Sequence, residues 1–199
     1  MLRVNTLKIS RAALHQQLAG EGIESESPTE FPDALILKQR QNIFGRPEFK
    51  AGLFEVQDAG SQLIAPFLQA KPGDRVFDAC AGGGGKTLHL AALMNNKGRI
   101  LALDTEAWKL EELKKRARRA GAGNIETRVI ESSKTIKRLE KSADRLLLDV
   151  PCSGLGVLKR NPDAKWKLSL EFINRVKELQ QQILADYSSM VKPGGVLVY

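Results

Sequence analysis

The chain has 199 residues, of which 42% are hydrophobic and 27% charged, a composition typical of a folded domain and not of a disordered chain. It carries 31 Lys and Arg against 23 Asp and Glu, a net charge of +8, which is compatible with a polyanionic partner but does not require one. No run approaches the roughly 18 apolar residues of a membrane-spanning helix, and the N-terminus lacks the apolar segment of a secretion signal. The two cysteines and two histidines (Cys80, Cys152, His15 and His89) lack zinc-ligand spacing. These features predict a cytoplasmic protein with no membrane, disulfide or metal.

The first 50 residues predict a small β-α-β segment. Residues 3–8 alternate as a short strand, Ser10 caps a helix over residues 11–19, and residues 34–38 predict a second strand. Such a segment is too small to bury a core of its own. We therefore expect it to pack on the rest of the chain or to be the remnant of a larger RNA-binding domain. We place the domain boundary at residue 50, with a catalytic domain over residues 51–199.

From residue 57 onward, predicted helices and strands alternate. In chain order they are helix 58–69, strand 75–78, helix 86–94, strand 99–104, helix 106–120, strand 125–130, a short helix, strand 145–150, a long helix 169–191, a turn 192–195 and strand 196–199. This alternation predicts an α/β fold with a mostly parallel sheet and helices on both faces. Ligands bind such sheets at the carboxyl ends of the strands, which is where Asp78, Asp104 and Asp149 fall.

The most informative stretch follows the first strand of this series. Residues 80–87 read Cys-Ala-Gly-Gly-Gly-Gly-Lys-Thr, and four glycines before a helix let the backbone approach a ligand closely. A P-loop also ends in Gly-Lys-Thr but requires a glycine at the position of Cys80. The alternative without a ligand is a flexible connection.

Asp104 ends the second strand, 20 residues past Gly84, the offset at which a carboxylate binds ribose hydroxyls in dinucleotide-type sites. Its alternative role is the N-cap of the next helix, which Thr105 can also fill. Together with the glycines, Asp104 predicts an adenosine cofactor, either NAD or S-adenosylmethionine. Asp78 beside the loop favours S-adenosylmethionine, because that cofactor carries a sulfonium and an ammonium group.

Three separated motifs resemble those of the Sun-type (NOL/NOP/Sun) RNA cytosine-5 methyltransferases, and the resemblance covers nearly the whole chain. The first is the stretch over residues 80–87, called the glycine loop below. The other two are residues 149–157 (Asp-Val-Pro-Cys-Ser-Gly-Leu-Gly-Val) and residues 160–166 (Arg-Asn-Pro-Asp-Ala-Lys-Trp). The resemblance implies a Rossmann-like class I methyltransferase fold with an S-adenosylmethionine site. The residues implied to line that site are Cys80, Ala81, Gly82, Gly83, Gly84, Gly85, Lys86, Asp104, Glu131 and Asp149. Glu131 stands where the family usually has Asp, and Gly82-Gly83 where it commonly has Ala-Pro.

The resemblance also implies that two cysteines act in the reaction: one attacks the base, and a second, Cys152, acts when the product is released. Cytosine carbon 5 becomes nucleophilic only after a thiolate adds to carbon 6, and a base must later remove the carbon 5 proton. Cys152, in the Pro-Cys-Ser-Gly loop, is associated with release of the methylated RNA, and it and Asp149 are the predicted catalytic residues. A buried, inert thiol is the alternative for Cys152, whereas Cys80 is expected to serve the loop only through backbone and packing.

The family's nucleophile lies in a Thr-Cys-Ser motif just beyond strand five, and the chain ends at Tyr199 before such a motif. We therefore expect the C-terminal strands of the fold to be missing. We also expect the chain to bind cofactor without catalysing methyl transfer.

A basic and aromatic group after the Cys152 loop is the expected RNA contact. Its members are Lys159, Arg160, Asn161, Lys165 and Trp166. Cations there bind phosphates and the indole stacks on a flipped base, whereas the alternative for Trp166 is packing against the long helix. The expected function is methylation of RNA, with ribosomal RNA as substrate class. A non-catalytic RNA- or cofactor-binding module and a tRNA-directed methyltransferase are the alternatives, and the oligomeric state stays open.

Overall fold

A computed structural model describes residues 1–158, 162–166 and 168–199. The predicted RNA contacts Lys159, Arg160 and Asn161 lie outside these residues. No helix within the described ranges is long and apolar enough to cross a membrane.

An antiparallel sheet of four strands occupies the N-terminal part of the described chain. The strands are β1 (Leu2–Val4), β2 (Ser25–Glu26), β3 (Ala34–Leu37) and β4 (Phe54–Val56), in the order β2-β3-β1-β4. Helices α1 (Arg11–Gly20) and α2 (Pro47–Lys50) accompany them. The core of this unit is a cluster of buried side chains that includes Leu14, Leu35 and Phe54. The expectation that the segment is too small for a core of its own is therefore wrong, because Ile43 and Phe54, outside the predicted β-α-β elements, help to complete the cluster.

The N-terminal sheet has more strands than the β-α-β pattern predicted. The predicted elements are present as β1, α1 and β3, whereas β2 and β4 span two and three residues, too few to show an alternating pattern. The strand predicted over residues 3–8 ends at Val4 because Asn5 starts a turn. Its side chain accepts from the Leu7 amide at 3.2 Å and its carbonyl from the Lys8 amide at 2.9 Å. The sheet extends to Val56, and a domain boundary at residue 50 stays a prediction.

A parallel sheet with helices forms the rest of the described chain. Its strands are β5 (Arg75–Asp78), β6 (Arg99–Asp104), β7 (Ile125–Val129), β8 (Ala143–Leu147) and β9 (Val191–Val198), in the order β7-β6-β5-β8-β9. The helices are α3 (Ala59–Phe67), α4 (Gly85–Leu93), α5 (Ala107–Ala120), α6 (Ser133–Lys137) and α7 (Leu170–Tyr187). Every adjacent pair of these strands is parallel, so the predicted Rossmann-like α/β fold is confirmed. Strand order reverses between β5 and β8, which places the expected binding crevice after these two strands.

The end of the chain differs from its predicted pattern in two places. Helix α7 ends at Tyr187, and a 3-10 turn over Ser188–Met190 follows it. The turn predicted over residues 192–195 lies inside β9, where it interrupts the ladder. Ala143 pairs with Val191, and pairing resumes between Arg145 and Val196 after a register shift. The extra residues form an irregularity in one strand, with Gly194 at a φ of +79°.

Candidate cofactor and catalytic site

A cleft of about 440 Å³ opens at the carboxyl ends of the parallel strands. The loops after β5, β6 and β8 line it on one side and helix α7 on the other. Five predicted site residues that are far apart in the sequence line this one cleft: Cys80, Gly82, Asp104, Asp149 and Cys152. The topology explains this meeting, because parallel strands bring their carboxyl ends to the same edge of a sheet.

The glycine loop is held in shape by its own backbone and by β6. The Gly84 amide donates to the Ala81 carbonyl at 2.9 Å, and the Gly82 amide donates to Asp104 Oδ2 at 2.9 Å. Gly82 and Gly84 have φ of +54° and +83°, the left-handed region that glycine adopts without strain. A Cβ at Gly82 would meet no atom within 4 Å, whereas one at Gly84 would lie 2.5 Å from Leu113 on α5. The loop therefore leaves open space at Gly82 and packs closely on α5 at Gly84.

Asp104 is 7% exposed. The alternative role as N-cap of the next helix is wrong for both Asp104 and Thr105, because α5 has Glu106 at its N-cap; ribose binding by Asp104 stays a prediction. Asp104 Oδ1 accepts from the Glu106 amide at 2.9 Å, just before α5, and lies 3.7 Å from Lys109 Nζ. Its other oxygen, Oδ2, accepts a hydrogen bond from the Gly82 amide. A carboxylate offers about four acceptor positions, so these two amides leave capacity for ribose hydroxyls.

Asp78 lies buried beneath the loop. Thr87 Oγ1 donates to its Oδ2 at 2.7 Å, and its Oδ1 has no hydrogen-bond partner among the described residues. Burial is the main reason that the pKa of Asp78 rises to about 6. Asp78 also lines a second cavity, of about 220 Å³, together with Lys86 and Arg116. A buried carboxylate with an unused oxygen fits a cationic ligand group.

The two cysteines differ in exposure and in chemistry. Burial, followed by the nearby carboxylates Asp78 and Asp104, raises the pKa of Cys80 to about 12, so its thiol stays protonated at neutral pH. Such a thiol is a poor nucleophile, as expected for a residue that serves the loop by packing. Cys152 is exposed at the cleft, so its thiol is not buried, and a role in the reaction stays a prediction.

Lys86 and Asp149 form an ion pair across the strand ends. Lys86 lies in the first turn of α4, and Asp149 follows β8. Asp149 lines both cavities, whereas Lys86, Ala81 and Gly85 line only the smaller one. The ion pair therefore orients Asp149 between the two spaces.

Glu131 lies beside the main cleft and not in it. It is exposed and lines an adjoining cavity of about 540 Å³, which shares Thr105, Ile130 and Tyr187 with the cleft. A role for Glu131 in cofactor binding stays a prediction.

One wall of the cleft was missed by the sequence analysis. Leu179, Ile183 and Tyr187 of α7 line it, and burial raises the pKa of Tyr187. These residues are four apart, the spacing of one helix face. The sequence therefore indicated that they share a face, but we did not predict that this face lines the cleft. Lys109, which approaches Asp104, carried no such signal.

Trp166 lies on the surface, in a 3-10 helix over Pro162–Trp166. Its side chain is 79% exposed, so the alternative of packing against α7 is wrong. Lys165 Nζ lies 4.7 Å from the centroid of the indole ring. This pair offers an aromatic face and a cation to solvent.

The parallel sheet, the glycine loop and the acids at the strand ends define a Rossmann-like fold of the methyltransferase type. A family described as 16S rRNA methyltransferase RsmB/F matches residues 65–199, and the ferredoxin-like domain of RsmF/B-like methyltransferases matches residues 1–44. The chain belongs to this RsmB/F methyltransferase family, and the predicted Sun-type resemblance is confirmed.

Relatives and solved structures agree with this assignment. A protein of Bacillus subtilis (strain 168) named "Probable ribosomal RNA small subunit methyltransferase B" is 40% identical over 199 residues, which is all of this chain and 44% of that protein. The crystal structure of PH0851 has a TM-score of 0.93 and 36% identity, covering 98% of this chain and 44% of that one. A methyltransferase homolog protein from Pyrococcus horikoshii has a TM-score of 0.85 and 35% identity, covering all of this chain and 62% of that one. The chain spans less than half the length of the curated relatives it matches.

Proposed function

We propose that this chain forms the S-adenosylmethionine-binding part of an RNA cytosine-5 methyltransferase that acts on ribosomal RNA. The observation that carries the proposal is the meeting of Gly82, Asp104, Asp149 and Cys152 around one cleft. A backbone surface, a ribose-binding carboxylate, an oriented acid and an exposed thiol there combine cofactor binding with covalent chemistry on a base.

The cofactor site is assigned to the glycine loop and its acids. Asp104 would bind the ribose hydroxyls with its remaining acceptor positions, and the open space at Gly82 lets the cofactor approach the backbone. Asp78 and Asp149 would compensate the positive charge of the cofactor. S-adenosylmethionine, when bound, supplies an electrophilic methyl group.

Cys152 is assigned to the end of the reaction. After methylation, a base must take the carbon 5 proton so that the bond between the attacking thiol and carbon 6 can break. Cys152 is exposed at the cleft, within the same cavity as Asp149, which suits it for this step. The attacking thiolate is assigned to a Thr-Cys-Ser motif, which residues 1–199 do not contain.

The substrate assignment rests on the relatives and on the surface. The relative from Bacillus subtilis is named for the small-subunit ribosomal RNA. The net charge of +8 and the exposed pair of Lys165 and Trp166 provide phosphate attraction and a stacking face. Lys159, Arg160 and Asn161 stay predicted RNA contacts on the evidence of the sequence, and we expect the activity to lie in the cytoplasm.

Calorimetric titration with S-adenosylhomocysteine tests the cofactor assignment. We expect saturable binding by the chain and at least tenfold weaker binding by Asp104→Asn, because the amide cannot accept from both backbone amides and the ribose. Glu112→Gln is the matched control, since Glu112 is exposed on α5, and it should bind as the unmodified chain does. Equal or tighter binding of ATP, or an unchanged affinity for Asp104→Asn, would overturn the assignment.

A further inference from the structure

Two arginines from other parts of the chain bind the backbone of the glycine loop. Arg116 Nη1, on α5, donates to the Gly83 carbonyl at 2.5 Å. Arg3 Nη1, on β1, donates to the Gly85 carbonyl at 2.5 Å and to Gln57 Oε1 at 2.5 Å. Two of the four glycine positions are thus tied to side chains that do not line the main cleft, and of these Arg116 lines the smaller cavity beside Asp78.

A carboxylate of the N-terminal sheet binds Arg116 and a second arginine of the same helix. Glu55, on β4, has a side chain 5% exposed and accepts from Arg116 Nη2 at 2.9 Å and from Arg119 Nη2 at 2.5 Å. Glu55 is also the cross-strand partner of Arg3 in the antiparallel sheet. The N-terminal sheet and helix α5 are therefore joined by a half-buried ionic cluster, from which Arg116 also reaches the glycine loop.

Arg3 is buried and still charged, which strengthens its hydrogen bond to the loop. Arg3 is 3% exposed, and burial lowers its pKa to about 10 while Glu55 opposes that change, so the guanidinium stays charged at neutral pH. A charged donor makes a stronger hydrogen bond to a carbonyl than a neutral donor does. A loop with four glycines has many accessible conformations when unrestrained, so fixed charged donors select one of them.

We propose that Arg3, Arg116 and Glu55 are positioning residues, through which the N-terminal sheet and α5 hold the glycine loop in its cofactor-binding conformation. The claim rests on the proposed function for its effect on cofactor affinity. Its effect on the loop itself is independent of any ligand. The N-terminal sheet thereby contributes to the cofactor site through Arg3 and Glu55.

The test uses single substitutions in the whole chain. Arg116→Gln removes the charged donor at Gly83, and Glu55→Gln removes the carboxylate that orients it. Arg118→Gln is the matched control, because Arg118 is exposed on the same helix and, among the described residues, its side chain bonds neither to the loop nor to the antiparallel sheet. Circular dichroism and thermal melting establish that each variant is folded at the temperature of measurement.

Two readouts separate positioning from a general loss of stability. The first is the calorimetric Kd for S-adenosylhomocysteine, which we expect to rise about tenfold in Arg116→Gln and in Glu55→Gln. The double variant should bind S-adenosylhomocysteine no more weakly than the single variant with the lower affinity, because both changes act through one contact. The second is amide hydrogen exchange without ligand, which should become about tenfold faster over residues 79–86 and stay unchanged over β5 and β6.

The outcomes are distinct. Exchange over residues 79–86 that is no faster in the folded Arg116→Gln variant, or an affinity equal to that of Arg118→Gln, would overturn the proposal. Exchange that rises equally over the whole chain would also overturn it, since that is loss of stability and not of loop position. If the unmodified chain binds no S-adenosylhomocysteine, the proposed function fails, and the exchange rates alone decide whether these residues position the loop.

Discussion

Asp78 shows how a single residue can serve a ligand at the expense of stability. Its carboxyl is buried, one oxygen has no hydrogen-bond partner among the described residues, and its pKa rises from 3.8 to about 6, mainly through burial. Because the folded state raises this pKa, the group contributes most to stability below about pH 4, where it is neutral. That contribution is lost as the pH rises through 6. A bound cation would offset the free-energy cost of burying the charged carboxylate.

Asp78→Asn should therefore stabilise the ligand-free chain at pH 8. The amide removes the buried charge and can still accept from Thr87 Oγ1. We expect a Tm several degrees above that of the unmodified chain at pH 8, since about 1 kcal/mol shifts the Tm of a chain this size by about 2–4 °C. The difference should vanish near pH 4, and cofactor affinity should fall. Calorimetric melts at both pH values check this, and a lower Tm at pH 8 would contradict it.

The two cysteines should differ strongly in reactivity. A thiolate is the reactive form, and a thiol with a pKa of about 12 is ionised in only about one molecule in ten thousand at pH 8. We expect iodoacetamide to alkylate the exposed Cys152 at least about a hundredfold faster than Cys80, measured by peptide mass spectrometry. Comparable rates at the two positions would show that Cys80 is not held as a protonated thiol.

At the scale of elements, the junction of the glycine loop with α5 depends on one residue without a side chain. Gly84 has a φ of +83°, and a Cβ there would lie 2.5 Å from Leu113. Gly84→Ala should cost about 3 kcal/mol, since the left-handed backbone costs about 1–2 kcal/mol and overpacking about 1–3 kcal/mol. Urea denaturation measures this cost. Gly123→Ala is the control, because a Cβ at Gly123 would meet no atom within 4 Å, and a similar loss in both variants would refute the packing argument.

Elements with a strong local pattern were predicted best. Strands β5 and β6 match residues 75–78 and 99–104 as predicted, because buried parallel strands are short apolar runs bounded by turns. Strand β4 was missed, since its three residues gain their place from pairing with β1, a contact between segments distant in sequence. The ionic cluster around Glu55 was missed for the same reason. An arginine in a sequence does not show which distant carbonyl it binds.

The site followed the same division. The glycine loop, Asp104 and Asp149 were predicted because they lie at strand ends, which meet in this topology, whereas Cys152 was predicted from the family resemblance. The part contributed by α7 was not predicted. Its position across the cleft depends on how the helix packs, which the helical spacing of Leu179, Ile183 and Tyr187 does not determine.

At the scale of the whole molecule, cofactor binding and catalysis should separate. Strands β5 to β8 and their loops carry the proposed cofactor site, whereas the proposed nucleophile motif is absent from residues 1–199. Unactivated cytosine carbon 5 does not accept a methyl group at a useful rate, because activation requires addition of a thiolate. We expect the 199-residue chain to bind S-adenosylmethionine and to form no 5-methylcytosine in 16S rRNA with tritiated cofactor. Robust methylation would show that Cys152 or Cys80 is the nucleophile.

The proposed cofactor site is the cleft at the carboxyl ends of the parallel strands. At 21.9 kDa the chain is within reach of amide-resolved NMR, so titration with S-adenosylhomocysteine tests this assignment directly. We predict saturable shift changes over residues 79–86, 104–109 and 149–152 and along the α7 face of the cleft. Shift changes confined to the antiparallel sheet, or no change at a saturating concentration, would contradict the account.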